Sequence, residues 1–319
     1  MLKVAVLDDY QGVAERFADW SRVRAHCAVQ FFDQPLRSID EAAAALADFD
    51  IICLMRERMP VPGALIQRLP RLKLICVTGA HNRTLDLQAA TARGVVVSAT
   101  ENASTEHPTS ELTWALILAA ARGIVRESRS VRAGGWQTTV GHTLHGRTLG
   151  LLGLGRVGKT VARIGAAFGM KLLAWSPNLT AERAAEVDAR LVAKSALFAE
   201  SDVVTVHLVL GEGTRGIVGA AELALLRQDS ILVNTSRGPL IQEAALIDAL
   251  RAGRPGVVAL DTFDTEPLPA DHPFRSMDTV LATPHLGYVT ADTYRQFYAS
   301  TVENIEAFLA GRPIRLLGH

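Results

Sequence analysis

Short, unbroken apolar runs recur along the chain, separated by stretches whose apolar residues fall three and four apart. KVAVLD (3–8), DIICLM (50–55), LKLICVTG (72–79) and GVVVSAT (94–100) are rich in Val, Ile and Leu. Such runs mark strands buried on both faces, as in a parallel sheet. Between them lie Ala-rich segments such as IDEAAAALAD (39–48) and PGALIQRLP (62–70), which predict helices. The alternation predicts βα units. A long helix is expected over about 108–121, continuing through RGIVRESRSVRAG (122–134).

A second series then begins. RTLGLLGLG (147–155) predicts a strand entering a glycine turn, and KTVARIGAAFG (159–169) a helix. MKLLAWS (170–176) is a strand, and SALFAESDVVTVHL (195–208) a short helix followed by a strand. SILVNTS (230–236), GVVALDTF (256–263) and VLATPH (280–285) are further strands, and a helix over about 291–310 closes the chain. The expected fold is α/β, with two doubly wound parallel-sheet domains. The central one, 102–288, is of the Rossmann type. The other, 1–101 with 289–319, is flavodoxin-like, with the last helix crossing back to it.

Composition narrows the partners. Lys plus Arg and Asp plus Glu are 33 each, so charge gives no reason to seek nucleic acid or an anionic membrane. MLKVAVLDDY (1–10) reads as a strand rather than a signal peptide. The longest apolar stretches, such as 115–121, fall short of the ~20 residues that span a bilayer. Cys27, Cys53 and Cys76 are scattered and lie in or near apolar runs, as buried thiols of a cytoplasmic protein would. No CxxC or Cys/His cluster suggests a metal.

GLGRVGKT (153–160) satisfies two motifs at once. Gly153, Gly155 and Gly158 form G-x-G-x-x-G, the dinucleotide turn. Gly153, Gly158, Lys159 and Thr160 form G-x-x-x-x-G-K-T, the P-loop. Both sit between a strand and a helix, and both offer backbone N–H groups to phosphate oxygens. Asp261, at a strand end, could supply the acid that a P-loop needs for Mg²⁺. Gly155, however, is superfluous in a P-loop, whereas a pyrophosphate needs close backbone approach there. Ala162, Gly165 and Ala166 then let the helix pack closely on the sheet. On the dinucleotide reading Arg156 and Val157 complete the turn. The next strand ends at Ser176, where an NAD-specific enzyme usually has Asp or Glu for the adenosine ribose. Ser176 removes the carboxylate that would repel a 2′-phosphate, although the nearest arginine, Arg183, is seven residues on. The cofactor expected is NAD or NADP, with a slight lean to NADP.

Three stretches at strand ends carry candidate chemistry. VNTSRGPLIQEAAL (233–246) contains Arg237, ALDTFDTEPL (259–268) contains Asp261 and Glu266, and LATPHLGYVTAD (281–292) contains His285. Reducing a carbonyl needs a cation for the substrate's negative charge, a proton donor near neutral pH, and a group that keeps the donor protonated. Arginine's planar fork suits a carboxylate. Histidine titrates near the working pH, and a neighbouring carboxylate favours its imidazolium form.

GLLGLGRVGKTVA (150–162), VNTSRGPLIQEAAL, ALDTFDTEPLP followed by HPF (272–274), and TPHLGYVT (283–290) together resemble the D-isomer-specific 2-hydroxyacid dehydrogenases over nearly the whole chain. The resemblance implies that Arg237 binds the substrate's carboxylate and carbonyl, and that His285 is the general acid/base paired with Glu266. It implies that Asp261 contacts the nicotinamide carboxamide, with His207, Leu208, Thr214, Thr235 and Gly287 lining the cofactor. In VTGAHNRTLD (77–86) it implies a loop that holds the substrate carboxylate on the backbone of Gly79 and Ala80. It also implies a homodimer through the helix near 108–121 and its continuation. The chain departs from the family at GAHNR (79–83), at Val209 in place of a common Pro, at the slightly long TEHPTSELTWALIL (105–118), and at Tyr288. These changes bear on the substrate more than on the reaction.

Relatives of the same fold oxidise formate or phosphite, or sense the cofactor without catalysis. Formate dehydrogenases carry Gln-Pro where this chain has Glu266 and Pro267. The P-loop alternative explains none of Arg237, Glu266 and His285. On the dinucleotide reading Lys159 and Thr160 are ordinary first-turn helix residues, and Thr160 should tolerate Ala.

Overall fold

The computed structural model describes residues 1–101 and 105–318. The chain forms two compact units, Met1–Ser104 with Thr290–His319, and Thr105–Val289. The expected domain junction after residue 101 adjoins residues 102–104, which lie outside the described residues.

In the first unit β1 (Leu2–Val6) leads through α1 (Ala14–Phe17) and α2 (Ser21–Arg24) to β2 (Cys27–Phe31). Then follow α3 (Ile39–Leu46), β3 (Ile51–Leu54), α4 (Gly63–Gln67), β4 (Leu74–Val77), α5 (Leu87–Ala92) and β5 (Val96–Ala99). The five strands are parallel in the order β2-β1-β3-β4-β5, the flavodoxin arrangement. All four residues of β3 and of β4 are buried, which is why they read as continuous apolar runs. β2 alternates buried and exposed positions at the sheet edge, and the unbroken-run criterion misses it.

The second unit opens with α6 (Glu106–Arg122) and α7 (Ile124–Arg132). Its next elements are β6 (Thr148–Leu152), α8 (Arg156–Ala167), β7 (Lys171–Trp175), α9 (Ala181–Ala185), β8 (Arg190–Leu191) and α10 (Lys194–Glu200). They are followed by β9 (Val203–Val206), α11 (Ala220–Leu225), β10 (Ile231–Asn234), α12 (Glu243–Arg251), β11 (Val257–Leu260) and β12 (Val280–Ala282). The parallel order β12-β11-β10-β9-β6-β7-β8 is the Rossmann order with one added strand. One face of the sheet is covered around Trp114, Ile117, Val161 and Leu172, the other around Phe198, Leu223, Leu246 and Phe274. The fold class read from the sequence is the one observed.

The expected single helix over 108–134 is instead two. Gly123 takes a left-handed conformation (φ +60°) and donates its N–H to the Ala120 carbonyl, ending α6 in a glycine C-cap. Helical spacing continues through this point, but the left-handed residue redirects the axis. α7 has no buried residue. The small residues of α8 do what the motif requires: a Cβ on Gly165 would lie 2.8 Å from Leu149 Cδ2 and 3.2 Å from Leu172 Cδ2. The last helix, α13 (Ala291–Leu309), belongs to the first unit, where it packs on β4 and β5 and buries Phe297, Tyr298 and Ile305. No helix among the described residues is long and apolar enough to cross a membrane. Cys27, Cys53 and Cys76 are buried free thiols.

Candidate active site

Register sets the geometry of the second unit. Trp175 pairs with Leu152, Leu152 with Val206, Val206 with Asn234, Asn234 with Leu260, and Leu260 with Ala282. The strands therefore end on one level, about 4.8 Å apart. The next residues along that edge are Ser176, Gly153, His207, Thr235, Asp261 and Thr283. Arg237, Glu266 and His285 follow within a few residues. Side chains scattered over more than a hundred positions of sequence are thus brought to one edge, outside the carboxyl ends of the strands.

The three glycines of the turn have separate physical reasons. Gly153 has φ +105°, and a Cβ there would lie 2.7 Å from His207 C and 2.8 Å from its O. A Cβ on Gly158 would meet the Gly153 carbonyl oxygen at 2.3 Å, so α8 can start this close only without a side chain. Around Gly155 nothing lies within 4 Å of a Cβ. No protein atom requires glycine there, and the open space at the N-terminus of α8 suits the close approach of a pyrophosphate. Arg156 and Val157 form the first turn of that helix. Lys159 pairs with Glu186 at 2.5 Å. Thr160 is not the plain first-turn residue expected: its hydroxyl donates to Glu106 Oε1 at 2.5 Å and ties α8 to the first turn of α6.

The charged residues meet at the other end of the row. His285 Nδ1 lies 2.6 Å from Glu266 Oε2, and the Phe263 N–H donates to Glu266 Oε1 at 2.9 Å. Burial pushes the Glu266 carboxyl up, but the bond and charge of His285, the Phe263 amide and the charge of Arg237 outweigh it and hold it below its ordinary value. His285 has φ +55°, a left-handed backbone that a non-glycine residue adopts only where its surroundings impose it. The edge of one ring meets the other's face where His285 packs on Tyr288, at 5.5 Å between centroids. Arg237 Nη1 donates to the Ser236 carbonyl at 2.7 Å.

Asp261 is fully buried. Its Oδ1 accepts from Thr283 Oγ1 and the Leu286 N–H, both at 2.7 Å, and its Oδ2 from the Gly287 N–H at 2.9 Å. Burial raises this carboxyl above the ordinary value, against the lowering pull of those donors and of His285. The carboxylate expected at the cofactor thus also braces the loop carrying His285. Gly287 offers its carbonyl to Thr109 Oγ1 at 3.1 Å, and Thr235 Oγ1 lies 2.8 Å from Thr113 Oγ1. His207 Nε2 lies 2.9 Å from Thr205 Oγ1, and burial lowers its imidazole to about 3. The carbonyl of buried Leu208 accepts from Ser236 Oγ at 2.6 Å. Thr214 Oγ1 turns inward on its own loop, donating to the Val209 carbonyl at 2.7 Å.

In the first unit the loop after β4 departs from expectation at Gly79. Its N–H, expected to hold a carboxylate, donates to Thr100 Oγ1 at 2.7 Å. Thr100 follows β5, the neighbour of β4, so its hydroxyl captures the amide internally. Ala80 is half-buried beside it. Arg56 packs against Gly79, where a Cβ would meet its Nη1 at 1.7 Å.

Several residues that the sequence reading passed over shape the site. Asn234 Nδ2 donates to the Arg237 carbonyl at 2.8 Å, and its Oδ1 accepts from the Ser236 N–H at 3.0 Å, so one side chain folds the arginine loop. An Asn just before a turn is a legible signal for this. Thr109 and Thr113 reach their loops from one face of α6, and their spacing of four was the available clue.

Residues 114–287 match the family described as D-isomer specific 2-hydroxyacid dehydrogenase, NAD binding domain. A glyoxylate reductase from Aeropyrum pernix is 38% identical over 257 residues, covering 78% of this chain and 76% of that protein. A D-3-phosphoglycerate dehydrogenase from Archaeoglobus fulgidus is 36% identical over 264 residues; the match covers 82% of this chain but only 50% of that longer protein. Among solved structures, a phosphoglycerate oxidoreductase from Vibrio cholerae O395 superposes with a TM-score of 0.90 at 36% identity, covering 98% of this chain and 100% of that one.

The depressed value of His207 makes a stability prediction. An unfolded chain takes up a proton at this histidine below its ordinary value of 6.5, while the folded protein refuses it down to about 3. Between those limits His207 should cost stability as pH falls, by at most about 1.4 kcal/mol per pH unit. His207→Gln should flatten that part of the acid limb in urea unfolding followed by fluorescence. An unchanged limb would exclude His207 as its source.

Proposed function

Since the chain belongs to the D-isomer-specific 2-hydroxyacid dehydrogenase family, we propose that it reduces a small 2-oxo acid to the 2-hydroxy acid (the D-isomer where the product is chiral), and the reverse, with Arg237, Glu266 and His285 as its reacting groups. The observation that carries this reading is the 2.6 Å contact between His285 Nδ1 and Glu266 Oε2. An ionised carboxylate only accepts, so Nδ1 carries the hydrogen and Nε2 is left to exchange a proton with the substrate oxygen.

The glycine turn at Gly153, Gly155 and Gly158 admits a dinucleotide's pyrophosphate, with His207, Leu208 and Thr235 along the same edge. The bound nicotinamide supplies the hydride. Arg237 pairs with the substrate carboxylate and polarises the carbonyl. His285 gives its proton to the oxygen that becomes the hydroxyl. Glu266 keeps the imidazole oriented and fixes which ring nitrogen carries the hydrogen. General acid catalysis of this kind contributes roughly 10²–10⁴-fold. Glyoxylate heads the candidate substrates, because the glyoxylate reductase relative is matched over most of its length. Hydroxypyruvate and pyruvate come next.

Ser176 lies level with Gly153 at the end of β7, where a carboxylate would meet the adenosine ribose, and we favour NADPH over NADH on that ground. The exposed apolar residues Ile124, Val125, Val131, Trp136 and Val140 follow one another along 124–140, with Trp136 77% and Val140 96% exposed. Exposed apolar surface of this kind marks an interaction site, and we assign it to a second copy of the chain. The three buried free thiols suit a reducing compartment, and we place the enzyme in the cytoplasm.

Glyoxylate, hydroxypyruvate and pyruvate, each offered with NADH and with NADPH, should give oxidation at 340 nm for at least one pair. His285→Ala should lower that turnover by about 10²–10⁴-fold while leaving cofactor affinity nearly unchanged; near-normal turnover would remove His285 from the mechanism. Ser176→Asp should shift the preference toward NADH by about tenfold, ~1.4 kcal/mol; an unmoved ratio would mean that this position does not select the cofactor. Light scattering should give the mass of a dimer for the native chain and of a monomer for Trp136→Glu, and a monomeric native chain would overturn the dimer.

A further inference from the structure

The second unit contains another histidine–carboxylate pair, outside the reacting set. His272 Nε2 lies 3.1 Å from Glu243 Oε1, with the two side chains 12% and 28% exposed. His272 Nδ1 accepts from the Phe274 N–H at 3.2 Å. The acceptor at Nδ1 leaves the hydrogen on Nε2, so a neutral imidazole donates to Glu243. Burial raises the Asp264 carboxyl above its ordinary value, and Glu243, Arg215 and His272 all act on it by charge.

The position of this pair in the chain gives it meaning. Glu243 is the first residue of α12, which begins six residues after Arg237. His272 lies on the segment that leaves β11, carries Glu266 and returns to β12, whose end bears His285. The two segments already touch near their start, where a Cβ on Gly238 would meet Phe263 C at 2.2 Å, its O at 2.5 Å and Asp264 N at 2.6 Å. The His272–Glu243 bond closes them at the other end. Between the two closures runs a continuous line of contact. The His272 ring packs on Phe274 at 4.7 Å and Phe274 on Phe263 at 6.5 Å between centroids. The Phe263 N–H then holds Glu266 Oε1, whose other oxygen holds His285.

We propose that His272 and Glu243 are positioning residues: they clamp the Glu266 segment to the Arg237 segment and so hold the Glu266 carboxylate at hydrogen-bond distance from His285. This rests on the reading of Glu266 and His285 as the reacting pair. Neither clamp residue belongs to the reacting set of Arg237, Glu266 and His285. Their effect passes through the place of one carboxylate, and a misplacement of about 1 Å far from the chemistry can cost on the order of 10²-fold.

The test uses the intact protein, with glyoxylate and NADPH or NADH as probes, and reads kcat, KM for the cofactor, and the pH profile of kcat/KM for reduction. His272→Ala and Glu243→Ala should each lower kcat by about tenfold to a hundredfold with cofactor KM unchanged. Because a displaced Glu266 no longer orients the His285 ring, the alkaline limb of the profile should move toward that of Glu266→Gln. Glu243→Gln keeps an acceptor oxygen and should restore both kcat and the limb. A twofold or smaller change in kcat with an unmoved limb would overturn the clamp. So would a loss shared equally by kcat and cofactor binding with the limb unmoved, which is the signature of general destabilisation. If the alanine variants do not fold, Glu243→Gln against Glu243→Leu decides by the same limb. Unimpaired turnover in Glu266→Gln would overturn the reacting pair and the clamp with it. A normal defect there, with none in His272→Ala, would overturn the clamp alone.

Discussion

The hydrogen-bond ladder of a parallel sheet leaves a strand little freedom to slide, since a shift of one residue turns every side chain to the wrong face. In the larger unit that constraint holds the ends of β7, β6, β9, β10, β11 and β12 on one level. The residues just beyond are lifted out of the sheet together. His207, Thr235, Asp261 and Thr283 owe their neighbourhood first to this ladder, which the hydrogen bond from Thr283 to Asp261 then reinforces. Every later feature of the site, from the glycine turn to the histidine loop, is built on that row.

Two carboxylates in the row divide the work by environment. Asp261 has no exposure and spends both oxygens on Thr283, Leu286 and Gly287. It holds the shape of a loop, including the left-handed backbone of His285, a conformation that costs energy unless its surroundings compel it. Glu266 is less buried: one oxygen takes the Phe263 N–H and the other holds the imidazole. Burial raises the first carboxyl, while the charges of His285 and Arg237 help to lower the second. The two acids are thus displaced in opposite directions by their different surroundings.

What the sequence made legible follows from how each feature is encoded. The central strands could be read because burial on both faces leaves unbroken apolar runs, as in β3, β4 and β9. The edge strands β2 and β8 could not, because half-buried edges alternate or are very short. The break at Gly123 was hidden because helical spacing persists through a residue whose backbone alone turns the chain. Gly153, Gly155 and Gly158 were legible as a local pattern with a local cause. Asn234, Thr109, Thr113 and the Thr160–Glu106 bond were not, since their partners are set by tertiary packing. The same holds for Gly79, whose amide looked available in sequence and is taken by a hydroxyl on the neighbouring strand end.

The shortness of the path from each strand end to its polar group has a consequence for how this chain can vary in length. His207, Thr235 and Asp261 directly follow the last residues of β9, β10 and β11, so no slack separates ladder from site. Deleting one residue inside such a strand would draw the following group back by about 3.3 Å and invert the faces of the residues before it. Insertions of similar size at the opposite ends of the strands would leave the row untouched. Length variation in related chains should therefore spare the step between each strand end and the polar group that follows it.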